Sequence, residues 1–207
     1  MSGALSELNL IWLTGASCDG CSISVLGDDA DVAIEDLLLG RVEGLPRIRL
    51  VHPLLSFEEG SAFVDLLRAA AAGASDPYVL VMESSVPREL ASGSFASIGE
   101  EGEKLIDIAE WVRRLAGGAE IVIAIGDCGV FGGPHSDESN PSGAKGIESI
   151  VGFRFRSRAG MPIIHLPGCS VPPVFISTLT TLVRHWQGEG PALELDPLGR
   201  PTFAYPS

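Results

Sequence analysis

Residues 8–21, LNLIWLTGASCDGC, decide the fold because an apolar segment here ends abruptly in a glycine. Residues 8–14 form a short, largely apolar run, which is typical of a strand buried on both faces of a sheet. Gly15 follows, and the first two cysteines of the chain, Cys18 and Cys21, come shortly after it. The pattern therefore predicts a buried strand whose carboxyl end carries two thiols.

Four similar apolar segments, each bounded by glycine or proline, predict further strands over residues 47–52, 77–82, 120–125 and 162–166. Helical spacing of apolar residues between them predicts helices over 21–26 (continuing loosely through 32–39), 58–72, 101–115 and 173–186. Glu100, Glu101 and Glu103 are then expected in the first turn of the third of these helices, where the helix dipole favours acidic residues.

Buried strands that alternate with amphipathic helices indicate a parallel sheet covered on both faces. We therefore expect an α/β fold, a flavodoxin-like open parallel sheet with helices on both faces. The predicted domain spans residues 1–189. Residues 190–207 contain four prolines and little periodicity, which predicts an extended C-terminal arm.

The composition excludes several classes of protein. Fourteen Lys and Arg against 27 Asp and Glu give a net charge of −13, which disfavours binding to nucleic acid or to anionic lipid. No apolar run approaches the roughly 18–20 residues that a membrane-spanning helix needs. The first residues, MSGALSE, lack a basic segment followed by an apolar core, so we expect a cytoplasmic protein that reaches a membrane only through partners.

All four cysteines follow predicted strands. Cys18 and Cys21 come after the first strand, Cys128 after the fourth and Cys169 after the fifth. The carboxyl ends of the strands are where open α/β sheets place their binding sites. Four cysteines are too few for a disulfide scaffold in a chain of this length, so metal ligation or redox chemistry is the first interpretation.

The spacing of the cysteines, one close pair and two distant residues, separates the possible chemistries. A structural zinc site would normally show a second close pair, and a C-x-x-C redox motif would leave Cys128 and Cys169 unexplained. Four thiolates from three loops suit a cubane iron–sulfur cluster. Ordinary buried thiols remain the alternative. The glycines that would allow close backbone approach to a cluster are Gly15, Gly20, Gly126, Gly129, Gly132, Gly133 and Gly168.

Five motifs resemble the small subunit of nickel–iron hydrogenases. They are W-L-x-G-x-S-C-D-G-C-S-x-S (residues 12–24), V-M-E-S-S-V-P (81–87), A-I-G-D-C-G-V-F-G-G (124–133), N-P-S-G (140–143) and L-P-G-C (166–169). They occur in the order typical of that family and span nearly the whole chain. Their combination is specific, whereas the C-x-x-C pair alone would be a weak signal.

The resemblance implies one [4Fe-4S] cluster, the proximal cluster, held by Cys18, Cys21, Cys128 and Cys169 against a large subunit. It also implies a nickel–iron centre in that large subunit, where H2 is oxidised or evolved. The small subunit would relay electrons without making or breaking bonds itself. Glu83 matches a carboxylate close to the cluster, which implies a role in tuning its potential or relaying protons; a plain loop or helix-terminal carboxylate is the alternative.

Three features depart from that family. Ser170 stands after Cys169 where the family usually has proline, so we expect a differently shaped loop. No fifth or sixth cysteine is present, which excludes the supernumerary-cysteine cluster of some relatives. Many relatives continue into a domain with medial and distal clusters. We therefore expect a one-cluster or truncated form that passes electrons to a further subunit or acceptor.

Two other functions remain open at this point. The homologous iron–sulfur subunit of quinone oxidoreductases shares the fold, but it carries adjacent cysteines where this chain has Cys18-Asp19-Gly20-Cys21. A flavodoxin-like binding module with structural cysteines would be a monomer without iron. No G-x-G-x-x-G motif or P-loop lysine supports that module.

The remaining polar residues near the predicted strands have simpler interpretations. His165 lies in an apolar strand and is expected to be a core histidine, whereas His135 lies nearest the predicted site and is expected to cap or support it. Asp19 and Asp127 flank cysteines and are expected to be solvated or helix-capping carboxylates.

Overall fold

The structure is a computed structural model that describes residues 5–16, 18–27, 32–56, 60–88, 95–137 and 139–206. Within these ranges no helix is both long and apolar enough to cross a membrane. The elements in chain order are β1 (Glu7–Thr14), α1 (Gly20–Leu26), α2 (Ile34–Leu38), β2 (Arg47–Val51), α3 (Gly60–Ala71), β3 (Tyr78–Glu83), β4 (Ser97–Glu101), β5 (Lys104–Asp107), α4 (Ile108–Ala116), β6 (Ile121–Ile125), α5 (Gly126–Phe131), α6 (Glu148–Val151), β7 (Ile164–Leu166) and α7 (Phe175–Gln187), with a 3-10 helix at Gly133–His135.

Five strands form one sheet in the order β2-β1-β3-β6-β7, and every neighbouring pair is parallel. Without the separate hairpin of β4 and β5, this is the order 2-1-3-4-5 of flavodoxin-like folds. The central strand β3 is buried at all six positions because it pairs on both sides, with Leu80 opposite Ile11 on β1 and Val122 on β6. The structure thus confirms the predicted fold class.

Alternating side chains of the sheet build two separate cores, one on each face. Leu80 and Met82 of β3 belong to the cluster that includes Phe63 of α3 and Trp111 of α4. The intervening Val81 belongs to the cluster on the opposite face, which is built from α1, α2 and α7. Because both faces are covered, the carboxyl ends of the strands remain the place where loops form a surface pocket.

One predicted helix begins too early. Residues 101–107 were expected to start the helix that ends near residue 115, but β4 and β5 form an antiparallel hairpin there and α4 begins only at Ile108. Gly99 and Gly102 adopt positive φ of 70° and 64°, which turns the chain back on itself. Leu105 is 54% exposed and does not join the apolar stripe of α4.

The three glutamates assigned to the first helical turn are affected by the same correction. Glu100 and Glu101 lie on β4, and Glu103 lies in the turn before β5. Arg114 of α4 forms an ion pair with Glu101, so the hairpin packs beside α4. The start of another helix, predicted at residue 58, lies outside the described residues, and the described part of α3 begins at Gly60.

The C-terminal tail is tied to the edge strand β7. The N–H of His165 donates to the carbonyl of Gly199 at 2.9 Å, and Leu195 pairs with Pro201 in an isolated bridge that closes a turn. The Tyr205 hydroxyl donates to the carbonyl of Pro167 at 2.7 Å. The tail therefore covers β7 and ends beside the loop that carries Cys169.

Substituting Gly15, the residue that follows β1, tests how tightly β1 and the segment after β3 are packed. An alanine Cβ there would lie 2.1 Å from the carbonyl oxygen of Ser85. We expect Gly15→Ala to lower the free energy of unfolding by about 1–3 kcal/mol, as overpacking does, in urea unfolding followed by circular dichroism. Gly117→Ala is the control, because nothing lies within 4 Å of its Cβ position. Equal stability of the two variants would contradict the packing.

Candidate metal centre

A cavity of about 270 Å³ lies at the carboxyl end of the sheet. This volume is far larger than the space that one water molecule needs. All four cysteines line it. The lining residues are Cys18, Gly20, Cys21, Glu83, Ser84, Ile125, Gly126, Asp127, Cys128, Gly168, Cys169 and Ser170. The structure thus brings together residues that are far apart in the sequence, as the positions of the strand ends predicted.

The four thiols differ in exposure. Cys21, in the first turn of α1, is buried, and Cys128, on α5, is half-buried, whereas Cys18 and Cys169 are exposed. All four are free thiols. No three His, Cys, Asp or Glu side chains in the described part of the chain lie close enough together to hold a single metal ion. The thiols therefore surround a cavity that opens to solvent on the side of Cys18 and Cys169.

Glycines allow the backbone to approach three of the four sulfurs. A Cβ on Gly126 would lie 2.7 Å from Sγ of Cys21, and a Cβ on Gly133 would lie 2.4 Å from Sγ of Cys128. The corresponding distance from Gly20 to Sγ of Cys18 is 3.3 Å. Any side chain at Gly126 or Gly133 would displace a thiol, so these two positions require glycine for the thiols to lie where they do.

Burial governs the protonation of the inner thiols. It raises the pKa of Cys21 to about 11, against the lowering effect of the hydrogen bond from the Val171 N–H, and negative charge on Glu83 adds to the rise. Burial also raises the pKa of Cys128, as do the neighbouring Cys169, Cys18 and Asp127. Metals bind the thiolate form, so a positively charged group in the cavity is needed to keep these two thiols ionised at neutral pH.

Hydrogen bonds tie the cysteine-bearing loops to one another. The N–H of Asp127 donates to the carbonyl of Gly168 at 3.0 Å, and the N–H of Gly168 donates to Oδ1 of Asp127 at 2.8 Å. The N–H of Val171 donates to Sγ of Cys21 at 3.4 Å, and the Ser24 hydroxyl donates to the Val171 carbonyl at 2.8 Å. The Cys169 loop is thereby attached to both α1 and α5.

Glu83, at the end of β3, is 2% exposed and accepts four hydrogen bonds. Trp12 Nε1 donates to Oε2 at 2.9 Å, and the Ser22 hydroxyl donates to the same oxygen. The N–H groups of Cys21 and Ser22 donate to Oε1 at 3.1 and 3.2 Å. The carboxylate thus accepts the N–H groups that the first turn of α1 leaves without a partner inside the helix. The N-cap residue, Asp19, makes no side-chain capping bond. The helix-terminal interpretation of Glu83 is thus confirmed, and its role toward a cluster stays a prediction.

His52 is a buried partner of this network, and the sequence did not indicate that it lies beside the site. Its Nδ1 accepts the N–H of Leu54 at 3.0 Å, and its Nε2 lies 3.1 Å from the Ser22 hydroxyl. Burial lowers its pKa, although the charges of Glu83 and Asp19 oppose this. A neutral His52 with its proton on Nε2 donates to Ser22, which in turn donates to Glu83. The only sequence signal was a polar residue that ends an apolar strand.

His165 is not among the residues that line the cavity. His165 is buried on β7, as predicted, and its Nδ1 lies 2.6 Å from the carbonyl oxygen of Leu198. His135 lies in the 3-10 helix that follows α5, and its side chain falls outside what the structure describes. The expected supporting role of His135 stays a prediction.

Ser170 lines the cavity, and the peptide bond that precedes it is cis.

The sequence matches, over residues 18–183, the protein family described as NADH ubiquinone oxidoreductase, 20 Kd subunit. The chain belongs to this family. The matched region begins at Cys18 and contains all four cysteines together with Glu83.

Similar proteins are named as small subunits of hydrogenases. The chain is 29% identical over 197 residues to the Hydrogenase-2 small chain of Escherichia coli, covering 95% of this chain and 47% of the relative. It is 26% identical over 215 residues to the periplasmic [NiFeSe] hydrogenase small subunit of Desulfomicrobium baculatum, covering 99% and 64%. The chain thus spans about half of the length of the Escherichia coli relative.

A solved structure carries the same fold. The actinobacterial-type NiFe-hydrogenase from Ralstonia eutropha H16 superposes with a TM-score of 0.88 at 38% identity, covering 97% of this chain and 59% of that chain. The comparisons confirm the resemblance to nickel–iron hydrogenase small subunits.

Removing the Glu83 carboxylate tests its structural role. We expect Glu83→Ala to lower the free energy of unfolding by at least about 3 kcal/mol, because buried N–H groups of Trp12, Cys21 and Ser22 lose their acceptor at roughly 1–3 kcal/mol each. Urea unfolding of the purified chain measures this. Glu103→Ala, in the exposed hairpin turn, is the matched control and should leave the unfolding midpoint unchanged. A Glu83→Ala midpoint equal to that of the control would show that the network contributes nothing.

Proposed function

We propose that this chain is the electron-transfer subunit of a nickel–iron hydrogenase, and that Cys18, Cys21, Cys128 and Cys169 hold its proximal [4Fe-4S] cluster. The observation that carries the proposal is the convergence of four thiols, from three separate strand ends, on one cavity. The chain would relay electrons between the nickel–iron site of a large subunit and an acceptor, in H2 oxidation or evolution.

The residues around the cavity fit such a cluster. Four soft thiolate ligands are the donor set that a cubane needs, and the glycines beside three sulfurs leave room for it. A bound cluster supplies one-electron redox chemistry. The protein's own part is to hold the loop of Cys169 against α1 and α5, as the hydrogen bonds of Asp127, Ser24 and Val171 do, and to keep water away from the buried side at Cys21.

Glu83 supports this role from beneath the cavity. Glu83 lines the cavity and its carboxylate is held by donors from β1 and α1, so it would place a negative charge at a fixed position beside the cluster. Such a charge would tune the potential of the cluster. A buried chain of hydrogen bonds runs from this carboxylate to the Ser22 hydroxyl and from that hydroxyl to His52, which is the arrangement that a proton relay needs.

The exposed side of the cavity is where a large subunit would dock. Cys18 and Cys169 are exposed there, and apolar side chains on the two cysteine-bearing helices are exposed as well: Ile23 of α1 is 67% exposed and Phe131 of α5 is 58% exposed. Apolar surface of this kind is typical of obligate interfaces. The nickel–iron centre would belong to that partner, and a further electron-transfer subunit or acceptor would complete the relay.

The family description favours a second candidate, the homologous subunit of a quinone oxidoreductase. Two observations support the hydrogenase instead. The relatives quoted above are named hydrogenase small subunits, and Cys18 and Cys21 are separated by Asp19 and Gly20 where the quinone-oxidoreductase subunit has adjacent cysteines.

The cytoplasmic location stays a prediction from the sequence.

Iron and acid-labile sulfide analysis of anaerobically purified protein tests the cluster. We expect about four of each per chain and a reduced-cubane EPR signal. Replacing any one of the four cysteines by serine should lower the iron content, because a hydroxyl is a poorer ligand than a thiolate. Ser75→Ala, a change in an exposed loop, is the control and should keep the full iron content.

The outcomes separate the candidate functions. Nickel that co-purifies through a bound large subunit would support the hydrogenase, whereas quinone reduction without nickel would support the alternative. Full iron retention in all four serine variants would overturn the ligand assignment. A protein that lacks iron even when purified anaerobically with its partner would be a binding module with structural cysteines.

A further inference from the structure

Asp127 connects two of the loops that carry cysteines. It directly precedes Cys128 at the start of α5, and it lines the cavity. Its main-chain N–H donates to the Gly168 carbonyl at 3.0 Å, and its Oδ1 accepts the Gly168 N–H at 2.8 Å. Gly168 directly precedes Cys169. One residue thus fixes the segment before Cys128 against the segment before Cys169.

The same carboxylate brings negative charge to the cavity wall. In the part of the chain that the structure describes, no lysine, arginine or histidine forms an ion pair with Asp127. The side chain is half-buried, so water screens its charge only partly. Glu83, in contrast, has its charge distributed over four donors from β1 and α1.

We propose that Asp127 is a positioning residue that sets the separation of Cys128 and Cys169 and holds a negative charge beside the cluster, lowering its reduction potential. This inference rests on the proposed function. Reduction adds one electron to the site, and a fixed negative charge nearby makes that addition less favourable. The hydrogen bond and the charge are two separate effects of one side chain.

Two substitutions separate these effects. Asp127→Asn keeps an amide oxygen that accepts the Gly168 N–H and removes the charge, whereas Asp127→Ala removes both. Asp196 provides matched controls, because its Oδ1, like that of Asp127, is a main-chain acceptor. It accepts the N–H groups of Leu198 and Arg200, in a loop that does not line the cavity. The same pair of substitutions is made there, to Asn and to Ala.

The measurements use the anaerobically purified complex. The rate of iron loss to a chelator reports how firmly the thiols hold the cluster, and an EPR-monitored redox titration reports its midpoint potential. We expect Asp127→Asn to retain iron as the wild type does and to shift the midpoint potential to more positive values. We expect Asp127→Ala to lose iron roughly tenfold faster, the factor for losing one charge-assisted hydrogen bond. Both Asp196 variants should match the wild type in iron loss and potential.

The readouts keep this inference distinct from the proposed function. An unchanged potential in Asp127→Asn would overturn the effect of the charge, and iron loss at the wild-type rate in Asp127→Ala would overturn the positioning. If Asp127→Ala does not fold, Asp127→Ser takes its place, because its shorter side chain moves the acceptor away from the Gly168 N–H, and iron loss from it no faster than from Asp127→Asn would overturn the positioning. Absence of iron in the wild-type complex would overturn the proposed function itself.

Discussion

The carboxylate of Glu83 accepts hydrogen bonds from the indole N–H of Trp12 on β1 and from the main-chain N–H groups of Cys21 and Ser22 on α1. These contacts join two neighbouring strands to the helix that carries one wall of the cavity. They also explain how a helix of seven residues begins without a local side-chain cap. A buried carboxylate is costly unless it is fully hydrogen-bonded. The burial of Glu83 therefore depends on the donors of β1 and α1, and the position of α1 against the sheet depends on Glu83.

The sheet and the convergence of the cysteines could be predicted because both follow from local patterns. Buried parallel strands are continuous apolar runs, and each cysteine comes within a few residues of the end of such a run. The sequence predicts a helix over the end of the hairpin of residues 97–107 because Leu105, Ile108, Ala109, Val112 and Leu115 have the spacing of one helical stripe. Gly99 and Gly102 adopt positive φ, which allows the hairpin turn. The two glycines were the sequence feature that indicated this turn.

The polar contacts of the site could not be predicted, since they join residues that are distant in the sequence. Ser22 and His52 lie 30 residues apart and meet only because β1 and β2 are neighbours. Asp127 and Gly168 lie 41 residues apart and meet because β6 and β7 are neighbours. Strand order determines which loops touch, and a single sequence does not specify the partners of each polar side chain within those loops.

The arrangement of the two sheet edges bears on how the molecule avoids aggregation. On one edge the tail bonds to β7 through Gly199, so an N–H of that strand already has its acceptor. On the other edge β2 is short and carries Arg47 and Arg49, charged residues that discourage a further strand from adding. Edge-to-edge pairing with another chain is disfavoured at both sides of the sheet.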